Sequence, residues 1–223
     1  MVRAVSLVRL APWAGLAGSA GMTGCTLLAS VAYRGSEGEV YTPLNHFVSE
    51  LGEPGVSSLA VLFNGGLIVA GLCFGLFMVG LGQIRASFWG AASAGAGAIA
   101  GLSGSLVGVY PQHSGPHVLV ASAFFFLASI AIGITSVDVL MRPDRRFPLG
   151  VALAGFAVVA IVVTFVWTYV VSGAAGETGR QPIPVRPGLD WSAILEWASI
   201  AWVVAWTAIA GASWTRASRV GAA

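Results

Sequence analysis

The chain has 223 residues, 57% of them hydrophobic and 9% charged, with a formal net charge of +2. That balance is too apolar for a soluble domain, and its arginines stand in ones and twos instead of forming the basic face that nucleic acid requires. A mean hydropathy of +0.84 makes lipid the natural solvent. At about 20 apolar residues per span, the length accommodates six transmembrane helices with short connections and one membrane domain.

In chain order, Leu10 to Tyr33 carries no charge and predicts a first helix over 11–32, too long for the core of a signal peptide and so read as retained. Cys25 within it, and Cys73 further on, lack CxxC or metal-type spacing and read as small buried side chains. The loop that follows has a helix signal of its own. Thr42 can cap, Pro43 suits a first helical position, and Gly52 with Pro54 ends the segment. Leu44, Phe47, Val48 and Leu51 stand at i, i+3, i+4 and i+7, with Asn45, His46, Ser49 and Glu50 on other faces, which predicts a short amphipathic helix over 43–51 in the membrane interface.

The second helix is predicted over 58–82, with Asn64 about two turns in and Gly71 and Gly75 as contact points. The third, over 88–109, places Gly97, Gly101, Gly104 and Gly108 on one face, where a neighbouring backbone can approach. No charge occurs between Arg85 and Asp138, an interval too long for one helix, and it divides at Tyr110-Pro111-Gln112-His113-Ser114-Gly115-Pro116 into a hairpin. The remaining helices are predicted over 117–138, 149–172 and 192–214. Arg142, Asp144, Arg145 and Arg146 form a topology anchor between the fourth and fifth. In the sixth, Trp202 and Trp206 read as packing, and Glu196 follows Asp190 by about 9 Å of helix at 1.5 Å per residue.

With the N-terminus in the cytoplasm, Arg3, Arg9, Arg85, Arg142, Arg145, Arg146, Arg216 and Arg219 fall inside, while only Arg34, Arg180 and Arg186 fall outside. This asymmetry predicts that both termini are cytoplasmic. The alanine-, glycine- and arginine-rich, lysine-free composition suggests a high-GC bacterium and its inner, plasma membrane as the location.

The run Pro-Leu-Asn-His-Phe-Val-Ser-Glu-Leu-Gly, carrying Asn45, Ser49, Leu51 and Gly52, followed by Asn64-Gly65-Gly66, resembles the opening signature of a bacterial membrane family called domain of unknown function 998. Val-Gly-Val-Tyr-Pro ending at Pro111, with His117 opening the next helix, is similar to that family's middle signature. The resemblance covers nearly the whole chain and implies a polytopic membrane protein without fixing an activity. One departure is that the family commonly has an acidic residue after the proline region, where this chain has Gln112 and His113.

No motif fixes a reaction, so enzymatic activity is left open. The leading expectation is a pocket at the extracytoplasmic end that binds a lipid headgroup or small amphiphile, for transport or sensing, without a cofactor. Its expected roof is the 43–51 helix and its floor Asn64, the 110–117 hairpin and the start of the sixth helix. The expected ligand-binding set is Asn45, Ser49, Glu50, Asn64, Tyr110, His117 and Glu196. A second reading makes His46, His113 and His117 ligands of a zinc ion in an interfacial hydrolase, where the metal would acidify a bound water. A third is an accessory subunit that meets a membrane partner, or a copy of itself, through its glycine-faced helices.

Overall fold

The computed structural model describes residues 6–171 and 186–220. Within them the chain forms six long helices: α1 (Leu7–Ala32), α2 (Ala60–Arg85), α3 (Phe88–Val109), α4 (His117–Met141), α5 (Leu149–Val171) and α6 (Trp191–Val220). All six are long and apolar enough to cross a membrane. Hydrocarbon offers backbone amides no water, so an apolar run that enters it must satisfy its hydrogen bonds internally, as a helix does. The chain is therefore an all-α, multi-pass membrane protein.

The connections follow local chemistry. Between α2 and α3 the chain turns on Ala86, in the left-handed region at φ 41°, and Ser87, whose hydroxyl accepts from Gly90 N at 3.0 Å to cap α3. Between α3 and α4, Pro111 and Pro116 bracket a turn in which Ser114 Oγ donates to the Pro111 carbonyl at 2.7 Å. Three helices run beyond their predicted C-terminal ends, α2 to Arg85, α4 to Met141 and α6 to Val220, and α1 begins earlier than predicted, at Leu7. Reading uncharged runs stops a helix at its first charged residue, whereas a helix continues through such a residue where its charge finds a partner, as Arg85 and Asp138 do, or reaches the membrane surface.

Each helix packs on its neighbours in sequence, and α6 returns against α1, closing a ring. The α2/α3 contact is the closest. A Cβ at Gly71 would lie 2.5 Å from the Gly101 carbonyl oxygen, and one at Gly101 would lie 2.5 Å from the Gly71 oxygen, so only glycine permits this approach. Both cysteines fill glycine gaps between α1 and α2: Cys25 sits over Gly66 and Cys73 over Gly18. Trp206 is fully buried and donates to the Val151 carbonyl at 3.0 Å, while Trp202 is 40% exposed, so the two tryptophans form no stacking platform.

Two apolar clusters fill the ring. The larger, around Phe77, Met78, Ile132, Trp206 and Trp214, runs from the end where α2 meets α3 and α4 meets α5 up to Phe125 and Phe165. The smaller, around Met22, Tyr33, Tyr41, Leu51 and Phe63, lies at the opposite end, beneath the long α1–α2 loop. At the first end the buried Arg85 guanidinium pairs with Asp138, and its Nη2 donates to the Asp138 and Arg142 carbonyls at 3.0 and 2.8 Å. Arg142 pairs with the same carboxylate and donates to Ser87 Oγ at 2.7 Å. The expected topology anchor is thus also a clamp between the α2–α3 and α4–α5 turns.

The predicted 43–51 interfacial α-helix is not formed. Thr42 to His46 make a turn, with His46 N donating to the Thr42 carbonyl at 3.0 Å, and a short 3-10 helix follows over Val48–Gly52. Phe47, Val48 and Leu51 are buried and Leu44 is exposed, so the apolar stripe does not lie on a membrane surface. The segment is drawn into the ring's mouth by polar partners far away in sequence.

Candidate functional site

The 3-10 helix is held by two carboxylates. Val48 N donates to Glu196 Oε2 at 2.6 Å, and Phe47 N donates to Glu50 Oε1 at 2.9 Å, so both charges meet amides at the start of the short helix. Glu50 in turn receives Arg186 Nη2 at 2.7 Å and the Tyr33 hydroxyl at 3.3 Å. Arg186 Nη1 also donates to the Asn45 carbonyl at 3.3 Å. The Tyr41 hydroxyl donates to the Phe47 carbonyl at 2.9 Å and accepts from Trp197 Nε1 at 2.8 Å. Burial, followed by the nearby Glu50 charge for Tyr33 and the Glu196 charge for Tyr41, pushes both phenols upward. They are neutral donors at physiological pH.

The segment before α6 docks on the same loop. Asn45 Nδ2 donates to the Pro187 carbonyl at 2.9 Å, and Asp190 N donates to the Leu44 carbonyl at 2.8 Å. Asp190 Oδ1 accepts from Ser192 N and Ala193 N at 2.9 and 3.2 Å, which caps α6. Asn64 Nδ2 donates to the Gly52 carbonyl at 2.8 Å, tying the loop to α2.

Beneath this plug lies a cavity of about 90 Å³, bounded by α1, α2, α3, α4 and α6, with Val48 and Ser49 as its roof. Its walls are mostly apolar, with Met22, Leu67, Phe74, Phe124 and Val204 among them, and glycines of α1, α2 and α3 leave the space. Its ionisable lining residues, His117 and Glu196, stand with Ser49 at the plugged end. His117 Nδ1 lies 2.8 Å from the Tyr110 carbonyl oxygen. A carbonyl only accepts, so Nδ1 carries the proton and Nε2 the lone pair.

Of the expected ligand-binding set, the structure brings Ser49, His117 and Glu196 to this cavity. Asn45, Glu50 and Asn64 instead hold the plug together, and Tyr110 contributes its backbone carbonyl to orient His117. Sequence reading missed Arg186 as the counter-charge of Glu50, and the Tyr41 and Trp197 pair. Charge balance is the one signal that pointed there, since the loop's carboxylates require a cation.

The convergence of His46, His113 and His117 on a metal does not occur. His46 is buried between the Tyr33 and Tyr41 rings, with Nδ1 2.7 Å from Asn45 Oδ1. His113 is paired through Nδ1 with Glu53 at 3.0 Å, and His117 faces the cavity. Among the described residues, no group of three or more His, Cys, Asp or Glu side chains is arranged to hold a metal ion. Each imidazole makes its contacts through Nδ1 within its own neighbourhood instead, and His46 Nε2 is buried without a hydrogen-bond partner.

No curated protein and no solved structure matches the chain. A family model described as "Protein of unknown function (DUF998)" matches residues 10–213 and so takes in all six helices short of their outermost ends. With that span matched, this multi-pass membrane protein belongs to the DUF998 family.

Proposed function

We propose that the protein binds a small amphiphile, with the apolar part in the ring's cavity and the polar part beside Ser49, His117 and Glu196. The observation that supports this is the division of the cavity: apolar walls from five helices, and ionisable groups gathered at one end. A pocket of this kind, apolar with a few convergent polar groups, is the usual form of a small-molecule site. Its size narrows the ligand. A cavity of roughly 150 Å³ holds a benzene-sized guest, so about 90 Å³ takes a short length of one hydrocarbon chain and not a two-chain lipid. The arginine asymmetry further supports an extracytoplasmic position for the plugged end, and the alanine-, glycine- and arginine-rich, lysine-free composition supports a location in a bacterial plasma membrane.

The test is lipid mass spectrometry on protein purified gently in a mild detergent, comparing the wild type with Ala121→Phe and Ser122→Phe. Ala121 lines the cavity, whereas Ser122 is exposed on the outside of α4. A reproducible single-chain amphiphile is expected in the wild type and in Ser122→Phe, reduced by about tenfold in Ala121→Phe. Equal retention in both variants, or no amphiphile in any, overturns the reading.

A further inference from the structure

The clamped end of the ring carries more positive charge than its carboxylates take up. Asp138 is held by Arg85 and Arg142, and Asp144 by Arg85 and Arg146. Arg9, at the start of α1, and Arg216 and Arg219, at the end of α6, lie at the same end and are exposed. Among the described residues none of the three pairs with a carboxylate. Orientation in the bilayer requires only that such arginines lie on one side. Their arrangement is more specific than that.

The three come to one seam. Helix α6 runs back along α1, so that Thr207 meets Gly15 and Gly211 meets Pro12. At 1.5 Å per residue Arg216 and Arg219 stand about 7.5 and 12 Å beyond Gly211, level with the first turn of α1 and just past it. The Arg219 guanidinium turns back over the half-exposed Trp13 ring, with Cζ 5.8 Å from the ring centroid. Trp13 is one turn from Arg9 on the same face of α1, and Arg216 shares the face of α6 that carries Arg219. Like charges gathered in this way repel until an anion joins them.

Toward the middle of the bilayer the same face of α1 is cleared of bulk. Arg9, Trp13, Ala17, Ala20 and Gly24 fall within about a quarter-turn of the helix. Ala17 and Ala20 are exposed, and a Cβ at Gly24 would meet nothing within 4 Å. A shallow apolar furrow therefore runs for about 10 Å below the arginines, until the exposed Leu27 and Leu28 close it. A positive head region above such a furrow matches a phosphate with a hydrocarbon chain beneath it. Guanidinium forks take phosphate oxygens in pairs and stay charged at any working pH, and a basic pocket between transmembrane helices suits an anionic head group.

We infer that the α1/α6 seam at the clamped end binds an anionic phospholipid, with its phosphate on Arg9, Arg216 and Arg219 and an acyl chain along Ala17, Ala20 and Gly24. Bound there, the lipid joins the first span to the last, across the contact that closes the ring. This site is separate from the cavity and stands without it.

The experiment titrates the purified, delipidated full chain in a nonionic detergent with dioctanoyl phosphatidylglycerol, dioctanoyl phosphatidylcholine or inorganic phosphate. The readout is the denaturation midpoint, which a ligand of the folded state raises. Phosphatidylglycerol is expected to bind at least about tenfold more tightly than either of the others. The double variant Arg216→Gln, Arg219→Gln is expected to weaken it about tenfold, and Arg145→Gln, which removes an exposed charge from the α4–α5 turn at the same end, by less than about twofold. Inorganic phosphate binding as tightly as phosphatidylglycerol makes this a free-anion site and overturns the lipid assignment. Equal binding of the two lipids, binding of none, or an equal loss in Arg145→Gln overturns the site. Loss of phosphatidylglycerol in Ala121→Phe but not in the double variant moves the lipid to the cavity and overturns it as well.

Discussion

Ala86 carries the one positive φ among the described non-glycine residues, at 41°, because two residues must reverse the chain between α2 and α3. A left-handed backbone costs an L-residue roughly 1–2 kcal/mol, part of which glycine would return as freedom in the unfolded chain. Ala86→Gly is expected to raise stability by about 0.5–1 kcal/mol, read from the denaturation midpoint of the detergent-solubilised protein; an unchanged or lower midpoint removes the strain argument. Other single positions were only half legible from sequence. Asn64 was recognisable as a costly polar group that must find a partner, and it does, but its partner is the Gly52 carbonyl in the loop and not another helix. Nothing in residues 12 positions apart announces that pairing. Gly52 shows why glycine stands there, since a Cβ would run into Asn64 Oδ1.

Among the elements, the long helices were readable because lipid imposes a single rule on every span, whereas the 42–52 segment was misread because its fate depends on contacts with no local pattern. Its apolar residues have helical spacing, yet Val48 N is bound by Glu196 and Glu50 by Arg186, both roughly 140 positions away. These long-range bonds draw the stripe inward and leave room for only a short 3-10 helix. His46 makes this element sensitive to acid. Burial first, and then the Arg186 charge, hold its pKa below the ordinary value of 6.5. The unfolded chain therefore takes up a proton below about pH 6.5 that the folded chain resists, so stability is full above that pH and declines as pH falls through it toward the folded value. His46→Phe keeps ring contacts with Tyr33 and Tyr41 and removes the buried, unpartnered Nε2. The expected result is a denaturation midpoint that falls between about pH 7 and pH 5 in the wild type and falls clearly less in His46→Phe. Parallel pH profiles in the two proteins would show that another group is responsible.

For the whole molecule, the two ends of the ring differ in kind. One is clamped by Arg85, Asp138, Arg142, Asp144 and Arg146; the other is plugged by the 42–52 segment and carries the candidate site. Arginine asymmetry assigns the clamped end to the cytoplasm. With a single cysteine introduced at either position in a chain freed of Cys25 and Cys73, an impermeant thiol reagent applied from outside intact cells is expected to label Ser36→Cys and to leave Arg145→Cys unlabelled until the membrane is opened. Labelling of position 145 from outside reverses the assignment and puts the cavity's plugged end in the cytoplasm. The six spans and their order were legible from hydropathy alone, but the ring was not. Hydropathy reports how a helix meets lipid, and says nothing of which helices meet each other.

Because the ring closes through α6, it also has an order of assembly. The first four helices bring most of the cavity wall, but Glu196, Ile200, Val203, Val204 and Thr207 all arrive with α6, as does Trp197, the indole that binds Tyr41. Arg186 and Asp190 precede it by only a few residues. During synthesis the 42–52 segment is thus made early and must wait, its Val48 amide without Glu196 and its Glu50 carboxylate without Arg186, until the last span enters the bilayer. A nascent chain stalled before α6 would be an open trough facing lipid, with neither a plug nor a site, and a membrane quality-control protease would meet it as an unfinished protein.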